Sequence, residues 1–446
     1  MSTLHERLAE LAEDAPVGGA LPEDLWDRGR RIARRRRLGT ATIAAVACLA
    51  LALVGVLGWQ RGRTSVEPAA PGSAPAMPDQ LYQPSGWLGS FGGSPGTLAA
   101  VFPARREHLL RSEAGIVGVS ATTGRYGFLD LPDVAAGSDE VALSADGRRL
   151  AYWITGRTSG SPRTTAGDPV TGFAVFDALT GHTERVPIPT PHGLDPEQLA
   201  WSGDGLLLVE HGQWSGGDDD SADLQSTGRV MPPMTWRADR GLQPIEDRAE
   251  LGVWSQSAGG HDWLMQVDDG DRRWAIDNLR TGEVWQMPQP NLAFEFPGPA
   301  ISPEGTLLAG THAGTAYSAG QSRTLSIVDR HGRVVMSVGG RATVALYWPD
   351  DKHLIAQRAV SADADDTALE SLDVRTRRWT PVVTGPGVHT GNVSTQFAAF
   401  DLLAVPTRSA VPPPRPLGQR VVVGTSAVIV LVGGLAIVLW RRRARP

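Results

Sequence analysis

One short phrase returns four times along the middle of this 446-residue chain. It reads VALSADGRRLAYWI from Val141, LAWSGDGLLLVEHG from Leu199, AISPEGTLLAGTH from Ala300 and ALYWPDDKHLIAQ from Ala345. Each copy is an apolar strand ending in Ser or Trp, a tight acidic turn, and a second apolar strand. A phrase that returns at intervals of about 45 to 60 residues marks a repeat architecture, in which no single unit can bury its own apolar face. The chain must therefore fold as an array of similar sheets.

A second hairpin follows each opening phrase. These hairpins read VGVSATTGRYGFLDLP, FAVFDALTGHTERVPIP, TWRADRGLQPI, WAIDNLRTGEVWQMP, LSIVDRHGRVVMSV and SLDVRTRRWTPVV. Each combines an alternating strand, an Asp or other polar residue, a turn that usually contains Gly, and a closing strand. Joined to its opening hairpin, each makes a four-stranded antiparallel sheet, which is one blade of a β-propeller. Six blades can be drawn in full. The first opens with LAAVFPARREHLLRS, and the fourth, with VWSQSAGGHDWLMQV, has lost the acidic turn. The leftover strands Trp87 to Phe91 and Gln396 to Val405 combine into a seventh that closes the ring from both ends. The expected fold class is all-β, a six- or seven-bladed propeller flanked by two transmembrane helices, with seven blades preferred.

The turns LSADG, WSGDG, ISPEG and YWPDD resemble the SPDG-like turn of the TolB-type branch of WD-repeat-like propellers, over most of residues 86–405. The residues matching that motif are Asp146, Gly147, Asp204, Gly205 and Gly305. Their physical role is turn geometry: Asp bonds the local backbone and Gly takes positive φ. The resemblance implies the fold and leaves function open, because such propellers serve as scaffolds, periplasmic binding proteins and enzyme accessory domains.

Two charge-free apolar stretches bracket the repeats, Leu38–Trp59 and Val421–Trp440. About 20 residues at 1.5 Å rise suffice for roughly 30 Å of hydrocarbon, so both read as membrane spans. Arg34 to Arg37 precede the first, and Arg441, Arg442, Arg443 and Arg445 follow the second. The positive-inside rule then puts both termini in the cytoplasm and the propeller outside. The expected organisation is a cytoplasmic tail (1–37), a span (38–59), a Pro/Ala-rich stalk (60–80), the propeller (81–405), a Pro-rich stalk (406–420), a span (421–440) and a basic tail (441–446). The single cysteine, Cys48, falls in the first span, so no internal disulfide can form. The first 13 residues carry a capping box, Thr3 with Glu6, and an apolar face of Leu4, Leu8 and Leu11. This tail resembles those of actinobacterial membrane proteins, including some anti-sigma-type regulators. It reads as an interfacial helix or as a docking helix for a cytoplasmic partner.

Residues 64–419 hold 27 basic and 41 acidic side chains, a formal charge of −14, which argues against nucleic acid as a partner. The connections between second and third strands are long, whereas the turns within each hairpin are short. Strand direction alternates, so the long loops gather on one rim, where binding usually resides. Candidate rim residues are Trp214, Asp218, Asp219, Asp220 and Asp223 in one loop, and Asp363, Asp365 and Asp366 in another. Neither cluster has the complete spacing of a calcium loop. The sequence contains no H-E-x-x-H, G-x-S-x-G, Walker or dinucleotide-binding motif, and no catalytic residue, cofactor or metal is expected. The expected function is a non-enzymatic binding or scaffold module, anchored to the cell membrane, for an exterior protein, peptide or glycan ligand. The alternatives are a transmembrane sensor acting through the N-terminal tail and a propeller enzyme of lactonase or lyase type.

Overall fold

Local turn chemistry folds the phrases into antiparallel hairpins. In the first opening turn, Ser144 Oγ accepts from Arg149 N at 2.9 Å and lies 2.6 Å from Asp146 Oδ1, which also accepts from Arg148 N. Ser302 Oγ plays the same part for Leu307 N. Gly147, Gly205 and Gly305 follow at φ of 71°, 74° and 66°, a region that favours glycine. The closing turns use one acceptor each. Asp177 Oδ1 takes Leu179 N and Thr180 N, Asn278 Oδ1 takes Arg280 N and Thr281 N, and Asp373 Oδ1 takes Arg375 N and Thr376 N. These are Asx turns, fixed by residues within four positions of one another.

The structure is a computed structural model describing residues 74–135, 140–160, 168–202, 205–214, 228–245, 263–268, 273–278, 280–288, 300–312, 324–339, 342–359, 366–386 and 396–414. Contacts divide the chain into two units, Met1–Glu67 with Leu417–Pro446, and Pro68–Pro416; all described residues lie in the second.

Among the described residues, six antiparallel sheets follow one another in chain order. Sheet 1 holds β1 (Leu98–Glu107), β2 (Ser112–Ser120) and β3 (Tyr126–Phe128). Sheet 2 holds β4 (Val141–Leu143), β5 (Arg149–Thr155), β6 (Val170–Asp177) and β7 (Thr183–Pro187). Sheet 3 holds β8 (Leu194–Trp201), β9 (Leu207–Trp214), β10 (Gly228–Val230), β11 (Met234–Arg237) and β12 (Gly241–Pro244), and touches sheet 2 through the single pair Val170↔Leu194. Sheet 4 holds β13 (Trp263–Asp268), β14 (Arg273–Asn278) and β15 (Val284–Pro288). Sheet 5 holds β16 (Ala300–Ile301), β17 (Leu307–His312), β18 (Thr324–Asp329) and β19 (Val334–Gly339). Sheet 6 holds β20 (Ala342–Asp350), β21 (His353–Ala359), β22 (Asp366–Asp373) and β23 (Arg378–Pro386).

Strand alternation sends each sheet's two faces to different neighbours. On β5, Leu150, Tyr152 and Ile154 pack with Val101 and Ile116 of sheet 1, while Ala151 and Trp153 pack with Trp201 and Val209 of sheet 3. Sheet 4 meets sheet 5 through Trp274, Ile276, Ile301 and Leu308, and sheet 5 meets sheet 6 through Ala309, Ile327, Trp348 and Leu354. Trp201 Nε1 donates to Ala142 O at 2.9 Å and Trp348 Nε1 to Ala300 O at 3.1 Å. The Trp that ends two copies of the repeat phrase therefore ties its own first strand to that of the preceding sheet.

Sheet 6 also packs against sheet 1, as closure of a ring requires. Val344, Tyr347, Ile355 and Val383 share a cluster with Val117, Val119, Phe128, Phe397 and Phe400. Residues 396–400 pair along the free edge of β1 in sheet 1: Ala398 pairs antiparallel with Ala100, Val101 N donates to Phe397 O, and Ala399 N donates to Ala99 O. On the opposite edge Ser90 pairs with Phe128. The two leftover segments thus complete sheet 1 instead of building a seventh blade. The hairpin that opens LAAVFPARREHLLRS takes second and third place in its sheet, because the edge of β1 is satisfied by the C-terminal strand. Six sheets make a β-propeller-like fold.

The expected fold class needs one further correction. Among the described residues no helix is long and apolar enough to cross a membrane; the helical element they contain is a 3₁₀ turn, Phe400–Ala404. The all-β part of the expectation stands, and the two flanking helices are withdrawn from it. Segments 38–59 and 421–440, which read as spans, lie outside the described residues, as does the tail 1–37.

Candidate functional site

Leu98 at the start of β1 and Asp401 in the 3₁₀ turn both bond the turn at 144–148: Leu98 N donates to Gly147 O and Asp401 N to Ala145 O. The long connections leave from the opposite strand ends. Of the rim residues, Asp218, Asp219, Asp220, Asp223, Asp363 and Asp365 lie outside the described residues, as does Asp204 in its turn. Asp366 begins β22 opposite Pro386. Trp214 ends β9 and is buried, its Nε1 donating to Leu194 O at 3.0 Å, so its ring braces β8.

A cleft of about 780 Å³ opens at the long-connection ends between sheets 1 and 2. That volume lies within the usual range of ligand sites, about 300–1,000 Å³. The stem of the β1–β2 hairpin forms one wall with Arg105, Arg106 and Glu113; Leu131, Asp133 and Thr155 contribute to the other. Arg105 bonds Ser112 Oγ at 2.8 Å, and Arg106 reaches Ser90 Oγ at 2.6 Å while lying 4.7 Å over the Phe128 ring. Glu113 bonds His108 Nε2 at 2.9 Å, and that bond holds its carboxyl below the ordinary range. Asp133 sits at φ 53°, pairs with Arg185 at 2.5 Å and accepts from Thr155 N through its carbonyl. A non-glycine residue in that region stores strain and tends to mark functional sites. The hairpin tip exposes Leu109 at 38% and Leu110 at 93%, so neither contributes to the core.

A second group of polar side chains gathers on sheet 3. β8 bulges between Pro196 and Gln198, so Glu197 is the extra residue and its direction departs from the strand alternation. Gln198 lies opposite Glu210 of β9. Glu210 is 7% exposed, and its Oε1 makes no hydrogen bond among the described residues. Burial, with the charges of Glu197 and Glu140, pushes its carboxyl well above the ordinary range. Burial raises Glu197 and Asp195 as well, and Asp195 adds to the shift at Glu197. Next along β9, His211 is buried, with Nδ1 3.1 Å from Gly212 O and Nε2 unbonded among the described residues. Burial pushes this imidazole down, favouring the neutral ring. Among the described residues no group of three or more His, Cys, Asp and Glu side chains is arranged to hold a metal ion. Sequence reasoning missed Glu210 and His211 by reading LLLVEHG as plain apolar strand. The signal was the charged pair inside that run, one residue of which takes the core place held by Trp153 in sheet 2.

Gln396 clasps three first strands together. Its carbonyl accepts from Leu143 N at 2.7 Å, its Oε1 accepts from Trp201 N at 2.6 Å, and its Nε2 donates to Trp201 O at 2.7 Å. The side-chain amide thereby pairs with Trp201 as a strand residue would.

Fold and cleft together define a β-propeller-like protein with a candidate ligand site. No family model matches the chain, and no curated protein matches it. Among solved structures it is similar to TolB from Acinetobacter baumannii, with 12% identity, a TM-score of 0.37, and coverage of 66% of this chain and 65% of that one. It is similar also to a putative TolB from Agrobacterium tumefaciens, at 11% identity and a TM-score of 0.36 over 66% and 92% of the two chains. A putative 6-phosphogluconolactonase from Bacteroides fragilis gives 13% identity and a TM-score of 0.35 over 68% and 98%. Likeness at this level carries no functional argument; the assignment of fold rests on the six described sheets and the packing of sheet 6 against sheet 1.

Proposed function

We propose that this chain is a binding module that takes a polypeptide segment of a partner protein in the cleft between sheets 1 and 2. The observation that carries the reading is the composition of that cleft: guanidinium groups and carboxylates (Arg105, Arg106, Glu113, Asp133, Asp168) around an apolar floor with Leu129, Leu131 and Val134. A peptide presents backbone donors and acceptors, charges of both signs and apolar side chains, and such a surface can meet all of them. Sugar rings stack on aromatic faces, and the lining named for this cleft contains none, which favours a peptide over a glycan. Ion pairs already formed on the walls keep the site ordered before the ligand arrives, which lowers the entropic cost of binding.

The test is to pan a random peptide library on the full chain and repeat it with Arg105→Glu. Enrichment of a mixed-charge motif that binds the parent and is lost in the variant supports the reading. Peptides indifferent to Arg105→Glu, or a chain that enriches none while binding a glycan array, would refute it.

A further inference from the structure

The buried carboxylate on sheet 3 uses none of the residues that line the cleft. Glu210 lies in a sheet interior where other copies of the repeat place Trp153, Thr311 and Gln357, and an ionised carboxylate there needs a counter-charge. None is provided among the described residues: Glu210 Oε1 has no hydrogen bond, and the charges acting on it are those of Glu197 and Glu140, both acidic. Glu140 immediately precedes β4, the first strand of sheet 2, and Glu197 is the bulged residue on β8, the first strand of sheet 3. Acids on the first-strand segments of two adjacent sheets thus both act on one deeply buried carboxylate, whose Oε1 has no donor among the described residues. Asp195, two residues before Glu197, adds a fourth acid on the same strand.

We propose that Glu210, with Glu197 and Glu140, forms a binding site for a primary alkylammonium group, such as a lysine side chain. An ammonium carries three donors on a flexible stem, so it can reach a buried carboxylate and still bond the more open Glu197. A guanidinium is planar and broader, and a divalent metal needs several ligands at short range, an arrangement that the described side chains do not provide. Burial favours the protonated form of Glu210 in the empty site, and a docked cation favours the carboxylate, so docking shifts that proton toward the buffer and leaves an ion pair.

Calorimetric titration of the full chain at pH 7, in two buffers of different ionisation heat, reads both affinity and proton release. The probe is Nα-acetyl-lysinamide, which has one ammonium, and the control is the norleucine analogue, which has none. The lysine probe should bind with proton release and the control should not. Glu210→Gln, isosteric and without charge, should keep the fold, weaken binding about 10- to 100-fold and abolish the release. Glu197→Gln, at a more open position that does not threaten folding, should weaken binding about tenfold while the release persists. Equal affinity in Glu210→Gln, binding without proton release, or displacement of the probe by equimolar calcium chloride would each overturn the proposal.

Discussion

Replacing Gln396 by Ala tests how the first strands of sheets 1, 2 and 3 are held together. The amide satisfies both backbone groups of Trp201, a residue 2% exposed, through bonds of 2.6 and 2.7 Å. Truncation strands a buried N–H and a buried C=O, each costing about 1–3 kcal/mol, so the loss should be about 2–6 kcal/mol. The unit Pro68–Pro416 has roughly 350 residues, and at about 2.1 cal/mol/K per residue its unfolding entropy is about 0.7 kcal/mol/K. The melting temperature should therefore fall by about 3–8 °C in differential scanning calorimetry. Gln396→Glu sharpens the test. An ionised carboxylate still accepts from Trp201 N, but it opposes Trp201 O with a second acceptor. Acidification restores an O–H donor, so this variant should recover part of its loss at low pH, whereas Gln396→Ala should not. A Gln396→Ala melting temperature within about 1 °C of the parent would refute the clasp.

Two other perturbations follow from the geometry. Gly147 and Gly241 share positive φ, 71° and 72°, so alanine pays about 1–2 kcal/mol of backbone strain at either position. At Gly147 a new Cβ would also lie 2.0 Å from Leu98 O, while at Gly241 it meets nothing within 4 Å. Gly147→Ala should therefore destabilise by about 1–3 kcal/mol more than Gly241→Ala in urea titrations, and equal midpoints would contradict the close approach. Glu210 gives a pH test. Its folded carboxyl titrates well above the ordinary 4.5, so the native state keeps a proton that the unfolded chain has lost. Its contribution is therefore most favourable below 4.5, and stability falls as pH rises from there toward the folded value, by about 1.4 kcal/mol per unit. Glu210→Gln should remove that slope, so its advantage in melting temperature should be larger at pH 8 than at pH 4; an equal advantage at both would contradict the burial argument.

The hairpins were legible because their causes are local. Asp177, Asn278 and Asp373 each bond amides two and three residues ahead, and a reader of the sequence can see every atom involved. The place of the leftover segments was not legible, for the opposite reason. Gln396–Phe400 has no turn binding it to β1, and its pairing with Ala100 spans almost the whole ring, so its place depends on which sheet edge is left open. Trp214 reads as a rim aromatic from its loop-side position, yet its Nε1 finds Leu194 O across the sheet. Glu210 was hidden within an apolar run because the meaning of a buried charge depends on what surrounds it.

By itself, the sequence determined the repeat unit, the turn types and the direction in which long connections leave, all of which follow from spacing and from bonds within a few residues. Only the tertiary structure decided that the described residues form six sheets, that sheet 1 is built from both ends of the propeller, and that Glu197 and Glu140 act on Glu210. These depend on pairing and desolvation between residues far apart in the chain, where loop closure and the neighbouring sheets, not local propensity, set the outcome.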